Sequence, residues 1–329
     1  MYLDIKTKND HCLTVTATID TRILWQQKIR NFPSLKNMGK SLNFIILFGP
    51  TGSGKGDVYK KFLRAQLFGC KEINNVCLKE NKYFFGSVDQ YVENDAKYKK
   101  AIKRIHNQYT RGITKTLESV NSKSSLSDYV SITMVLKEKM DTLSEKMTQI
   151  YFAVRNSEGY NTANERNIAL HMKKQWNILL EITGTNGSTI DKICDRSLFQ
   201  TVDKDVSISN YKITVLFPFT SYKILRQRLI DRFVRQIKNK QSSRLPPTDE
   251  SILYKSEKES MDNLVKLIET GCVDKLVIFD NNRKKAFTFA IIDVNNVKNT
   301  TSCDIKAKLT ENPVSESFNN LITKLCPSK

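Results

Sequence analysis

Asn43-Phe44-Ile45-Ile46-Leu47-Phe48-Gly49-Pro50-Thr51-Gly52-Ser53-Gly54-Lys55 is the stretch that decides the fold. Its first six residues form an apolar run of strand length, suited to burial on both faces as in a parallel sheet. The next seven fit the pattern GxxxxGK, and helical spacing resumes from Val58 to Phe68. Strand, glycine-rich turn and helix follow in that order. Phosphate oxygens need several backbone N–H donors converging on them. Glycines let the backbone wrap that closely, and the start of a helix adds positive potential. Gly49, Pro50, Thr51, Gly52, Ser53, Gly54, Lys55, Gly56 and Asp57 are therefore read as a nucleotide-phosphate site, with Lys55 reaching the terminal phosphates.

Outward from this stretch, four more short apolar runs read as buried strands. They are Tyr83–Gly86, Asn177–Glu181, Tyr211–Phe217 and Lys275–Phe279. Helical patterns separate them, which predicts an α/β domain with a mainly parallel five-stranded sheet flanked by helices. The domain is expected over residues 41–285, with a helical insertion at about 100–160. Within that insertion Leu126, Tyr129, Ile132, Leu136, Met140, Leu143, Met147, Ile150 and Val154 draw one apolar stripe at spacings of three and four. The stripe is read as packing surface and given no chemistry. Residues 1–40 read as an extension with a strand over Leu13–Ile19 and a short helix over Ile23–Ile29. Residues 286–329 read as a second extension with a strand over Ala286–Val294 and a helix around Phe318–Leu325.

Composition narrows the class. The 329 residues include 53 Lys and Arg against 34 Asp and Glu, a formal charge of +19, with 40% hydrophobic residues. Enough apolar surface exists to offset chain entropy, so wholesale disorder is excluded. No apolar run approaches the roughly 18 residues of a membrane span, so no membrane association is expected. Met1-Tyr2-Leu3-Asp4 carries an acid and no apolar stretch, unlike a secretory signal. Seven cysteines form no CxxC pair and three histidines have no ligand spacing, so reduced thiols, a cytoplasmic location and no disulfide-linked partner are expected. The basic residues read as spread along the chain without a dense cluster or an interleaved aromatic platform.

Further candidates flank the glycine-rich loop. After Lys55 stand Gly56 and Asp57, where many such loops place a hydroxyl on Mg2+. The GKG form resembles adenylate-kinase-type loops, in which water mediates most metal contacts. Asp57 either touches that water shell or is a first-turn acid favoured by the helix dipole. Asp89 follows the second strand run and is a candidate base for a substrate hydroxyl. Glu181 and Thr183 close the third run. Arg226, Arg228, Arg232 and Arg235 lie on the helix after the fourth, and Arg244 precedes two prolines. Guanidinium groups there would offset the charge of a transferring phosphoryl group.

These residues resemble the zeta-toxin family of P-loop kinases, over roughly residues 43–100 and 160–282. Phe48 to Lys55 is similar to the family's phosphate loop. Ser87-Val88-Asp89-Gln90-Tyr91 through Tyr98 resembles its D-x-D-x-F-R…H-P-x-Y stretch, with Asp89 on the catalytic base. Trp176 to Gly184 is similar to its N-L-V-I-E-G-T-G strand, preceded at the family's spacing by Glu165. The resemblance implies that Glu165, Glu181, Thr183 and Tyr98 contact substrate and that Arg232 and Arg244 bind phosphate. It also implies ATP or GTP with Mg2+, and an anionic hydroxyl-bearing acceptor such as UDP-N-acetylglucosamine. The chain departs from the family at Gly56, Ser87, Val92 and Asp95-Ala96.

Two function classes follow. One is an ATP-dependent kinase acting on a sugar nucleotide, nucleotide or nucleic-acid end through Lys55, Asp89, Arg232 and Arg244. The other is a P-loop module with impaired catalysis whose basic surface binds nucleic acid or an acidic assembly.

Overall fold

In the computed structural model, which describes residues 15–20, 42–58, 75–121, 126–238, 250–282, 286–293 and 320–321, Phe44 to Phe48 are at most 1% exposed. A strand buried this completely needs neighbours on both edges. Strand β2 (Leu42–Phe48) has them: β4 (Asn177–Ile182) and β5 (Tyr211–Phe219) run parallel to it, pairing Phe44 with both Ile178 and Ile213. Strand β3 (Tyr83–Gly86) adds to β4, and β6 (Lys275–Asp280) adds to β5, both parallel. The five expected strands thus form one all-parallel sheet.

Two further strands join it. Strand β7 (Ala286–Asp293) runs antiparallel to β6, and β1 (Val15–Asp20) antiparallel to β7. The full order is β1-β7-β6-β5-β2-β4-β3. The described strand of each region read as an extension is therefore an outer strand of the main sheet. The helix expected over Ile23–Ile29 lies outside the described residues, as does all but Asn320 and Leu321 of the one near the C-terminus.

Nine helices are described: α1 (Lys55–Asp57), α2 (Asn75–Glu80), α3 (Val88–Asn94), α4 (Ala96–Asn121), α5 (Leu126–Ser157), α6 (Tyr160–Lys173), α7 (Gly187–Cys194), α8 (Tyr222–Lys238) and α9 (Glu250–Glu269). The chain divides into two compact units. The first comprises residues 1–86, 165–221 and 256–329, and the second 87–164 and 222–255.

The first unit holds the sheet. Phe44, Phe48, Ile178, Ile213 and Phe217 pack with Ile168, Ile190 and Leu264 from the helices. Against the expectation of reduced thiols, the sulfurs of Cys194, at the end of α7, and Cys272, just before β6, lie within bonding distance of each other among the described residues. The pair is 78 residues apart within the chain and links no partner.

The second unit is helical. The apolar stripe predicted in the insertion buries Met140, Leu143 and Met147 of α5 against Tyr98, Ile102 and Ile113 of α4, with Val92 and Phe233. Asp95 starts α4, its Oδ1 accepting from the Tyr98 N–H at 2.8 Å. That bond, with one from the Tyr160 hydroxyl, holds the Asp95 carboxyl below its usual range. Among the described residues no helix is long and apolar enough to cross a membrane.

Candidate active site

Parallel strands bring their C-terminal ends to one edge of the sheet, and ligands of open α/β sheets gather there. The loop Gly49–Gly54 leaves β2 at that edge, between β4 on one side and β5 on the other. Gly49, Gly52 and Gly54 have φ of +146°, +88° and +101°, so the loop turns through conformations that side chains with a Cβ rarely adopt. At Gly54 the requirement is also steric, because a Cβ there would strike the Asn281 amide.

Two strand ends grip the loop. Thr220, after β5, donates its hydroxyl to the Ser53 carbonyl at 3.0 Å. Asn281, after β6, donates its amide to the same oxygen at 2.6 Å. The β6 end is itself fixed, since Asn281 N–H bonds the Phe219 carbonyl and Asn282 Oδ1 accepts from the Ser221 N–H. Sequence reasoning passed over Thr220 and Asn281. The only signal was their position one residue beyond a strand.

Lys55 is 9% exposed, and its Nζ donates to the Gly49 carbonyl at 2.6 Å and the Pro50 carbonyl at 3.2 Å. The ammonium thus lies against its own loop. Ser53 Oγ is buried and has no hydrogen-bond partner among the described residues. The N–H groups of Gly52, Gly54 and Gly56 donate to no described residue. An orphan hydroxyl, unused N–H donors and an ammonium suit an anionic oxygen-rich ligand of the kind a phosphate group provides. Gly56 and Asp57 are exposed, and a Cβ on Gly56 would meet open space. No group of three or more His, Cys, Asp or Glu is placed to hold a metal among the described residues.

The other predicted residues of the first unit lie near the same sheet edge or on its helices. Glu181, the penultimate residue of β4, is half-buried, and Thr183 is exposed just beyond the strand. The turn after them is held by α9, whose Ser260 bonds the Thr183 carbonyl at 3.1 Å and whose Asn263 bonds the Gly184 carbonyl at 2.8 Å. Glu165, on α6, is half-buried. Burial pushes its carboxyl above the usual range, and Lys192 partly offsets this.

In the second unit Asp89 is exposed in the first turn of α3. Its Oδ1 accepts a hydrogen bond from the hydroxyl of Tyr151, a residue of α5 that is 3% exposed. Tyr151 belongs to the helix that sequence reading assigned to packing alone. Tyr98 is 1% exposed, edge-on to Tyr151 in the helical core. Arg232 is half-buried on α8, and Arg244 lies outside the described residues.

No family model matches this chain, and no curated protein matches it.

Proposed function

We propose that this chain is a phosphotransferase of the P-loop kinase type, resembling the zeta-toxin family. It would bind ATP or GTP with Mg2+ on the loop Gly49–Lys55 and phosphorylate a hydroxyl of an anionic acceptor: a sugar nucleotide, a nucleotide or a nucleic-acid end. The observation that carries this reading is the loop itself. Its N–H donors, the buried Ser53 Oγ and Lys55 Nζ all belong to one turn at the end of the central strand, where strand order reverses.

The nucleotide supplies the phosphoryl group, and Mg2+ neutralises part of its charge. The loop N–H groups and Lys55 hold the phosphates, Nζ giving up the Gly49 and Pro50 carbonyls for anionic oxygens. Asp89 takes the proton of the acceptor hydroxyl, and Tyr151 orients its carboxylate. Arg232 and Arg244 supply positive charge that is most effective when negative charge builds on the transferring group. Glu165, Glu181 and Thr183 contact the acceptor, and Asp57, in the first turn of α1, would face the water shell of Mg2+.

The test is transfer from γ-labelled ATP to a panel of UDP-sugars, nucleotides, 5′-hydroxyl oligonucleotides and small sugars. Lys55→Ala should abolish turnover and largely remove ATP binding, while Asp89→Asn should keep binding and stop transfer. Turnover that survives Lys55→Ala would sink the reading.

A further inference from the structure

The kinase reading uses few of the 53 basic residues, and the helix α4 gathers a set it leaves aside. Lys99, Lys100, Lys103, Arg104, Arg111 and Lys115 are all exposed. At 3.6 residues per turn they fall within an arc of about 160°. Six cations close together in sequence thus share one face of the helix. The opposite face is committed to the core, with Tyr98, Ile102, His106 and Ile113 at most 4% exposed. Lys97 is paired with Glu158 at 2.7 Å, whereas the other six make no ion pair among the described residues. Glu118 is the sole acid in the helix.

The shape and chemistry of this face select its partner. From Lys99 to Lys115 the helix rises about 24 Å, so one cation occurs about every 5 Å. Duplex nucleic acid carries one phosphate charge per roughly 1.7 Å of axis, so every cation on the face can find a phosphate. Exposed Asn107 and Gln108 lie among the cations and add neutral donors. The aromatic residues of the helix, Tyr98 and Tyr109, are on the core side, so the stacking platform of single-strand binders is missing from this face. Membrane docking would need the apolar face of α4 to enter lipid, and that face is already occupied by Met140, Leu143 and Met147.

We infer that the exposed face of α4 docks the phosphate backbone of duplex nucleic acid without regard to sequence. The inference is independent of the kinase reading, because it uses none of the proposed catalytic residues.

Anisotropy of a short fluorescent duplex of mixed sequence, in DNA and RNA forms, tests this on the full chain across about 50–200 mM salt. The expected result is binding that weakens steeply with salt. The triple variant Lys100→Glu, Arg104→Glu, Arg111→Glu should bind at least about tenfold more weakly, with the log–log salt slope reduced by about 3. A control with the same charge change in the other unit, Lys79→Glu, Lys174→Glu, Lys204→Glu, should keep that slope close to wild type. Should the reversal variant misfold by circular dichroism, Gln at the same three positions carries the test at smaller amplitude. Equal weakening by both triples would overturn the inference, as would absent duplex binding or more effective competition by phosphatidylserine vesicles than by unlabelled duplex.

Discussion

Asn281 Nδ2 and the Ser53 carbonyl are joined at 2.6 Å, tying the end of β6 to the middle of the glycine-rich loop. With the Thr220 hydroxyl on the same oxygen, the loop is fixed from two neighbouring strand ends. Preorganisation of this kind leaves little backbone entropy to lose when an anion binds.

Gly54→Ala should therefore cost stability through both its positive φ and the collision with Asn281, about 2 kcal/mol in urea unfolding. Asn281→Ala alone should cost about 1 kcal/mol through the lost hydrogen bond. In combination the two should cost less than their sum, because removing the amide relieves the collision. Strict additivity in the double-mutant cycle would refute the contact.

Tyr151→Phe removes only the hydroxyl that bonds Asp89. ATP binding should be unchanged, whereas kcat for transfer should fall by about tenfold, the size of one hydrogen bond to a charged group. A change in KM for ATP with kcat preserved would argue against a positioning role.

Gly56→Ser places a hydroxyl where a Cβ meets open space, directly after Lys55. Comparison of ATP affinity with Mg2+ and with EDTA should show a gain of about two- to tenfold that depends on the metal. An equal gain in EDTA would assign it to the nucleotide alone.

His106 is 4% exposed inside the helical unit, and burial holds its pKa below 6.5. The folded state resists the proton that the unfolded chain accepts, so stability is complete above about pH 6.5 and falls as pH drops towards the folded pKa. The urea midpoint should decline between about pH 7.5 and pH 5.5 in wild type, and less steeply in His106→Gln. Parallel declines in the two proteins would assign the loss to other groups.

The parallel sheet was legible because strands buried on both faces read as uninterrupted apolar runs, from Phe44–Phe48 to Leu276–Phe279. The helical core was legible through its spacing of three and four, from Leu136 to Val154. The division of residues 97–176 was less so: one long helix with a stripe was read, and the chain there forms α4, α5 and α6. Periodicity alone does not mark a break where the apolar face continues beyond it.

By itself, then, the sequence determined the alternation of strands and helices and the glycine-rich turn after the central strand, because these are properties of local spacing. Tertiary structure decided the rest. Thr220 and Asn281 reach Ser53 only because β5, β6 and β2 end at one sheet edge, from positions 167 and 228 residues away. Tyr151 meets Asp89 across 62 residues because α5 packs beside α3. Cys194 finds Cys272 in the same way. Contacts between distant residues depend on how elements pack, and no local pattern encodes them. Even the charge of +19 gained meaning on folding, since the turn of one helix set six of its cations on a single face.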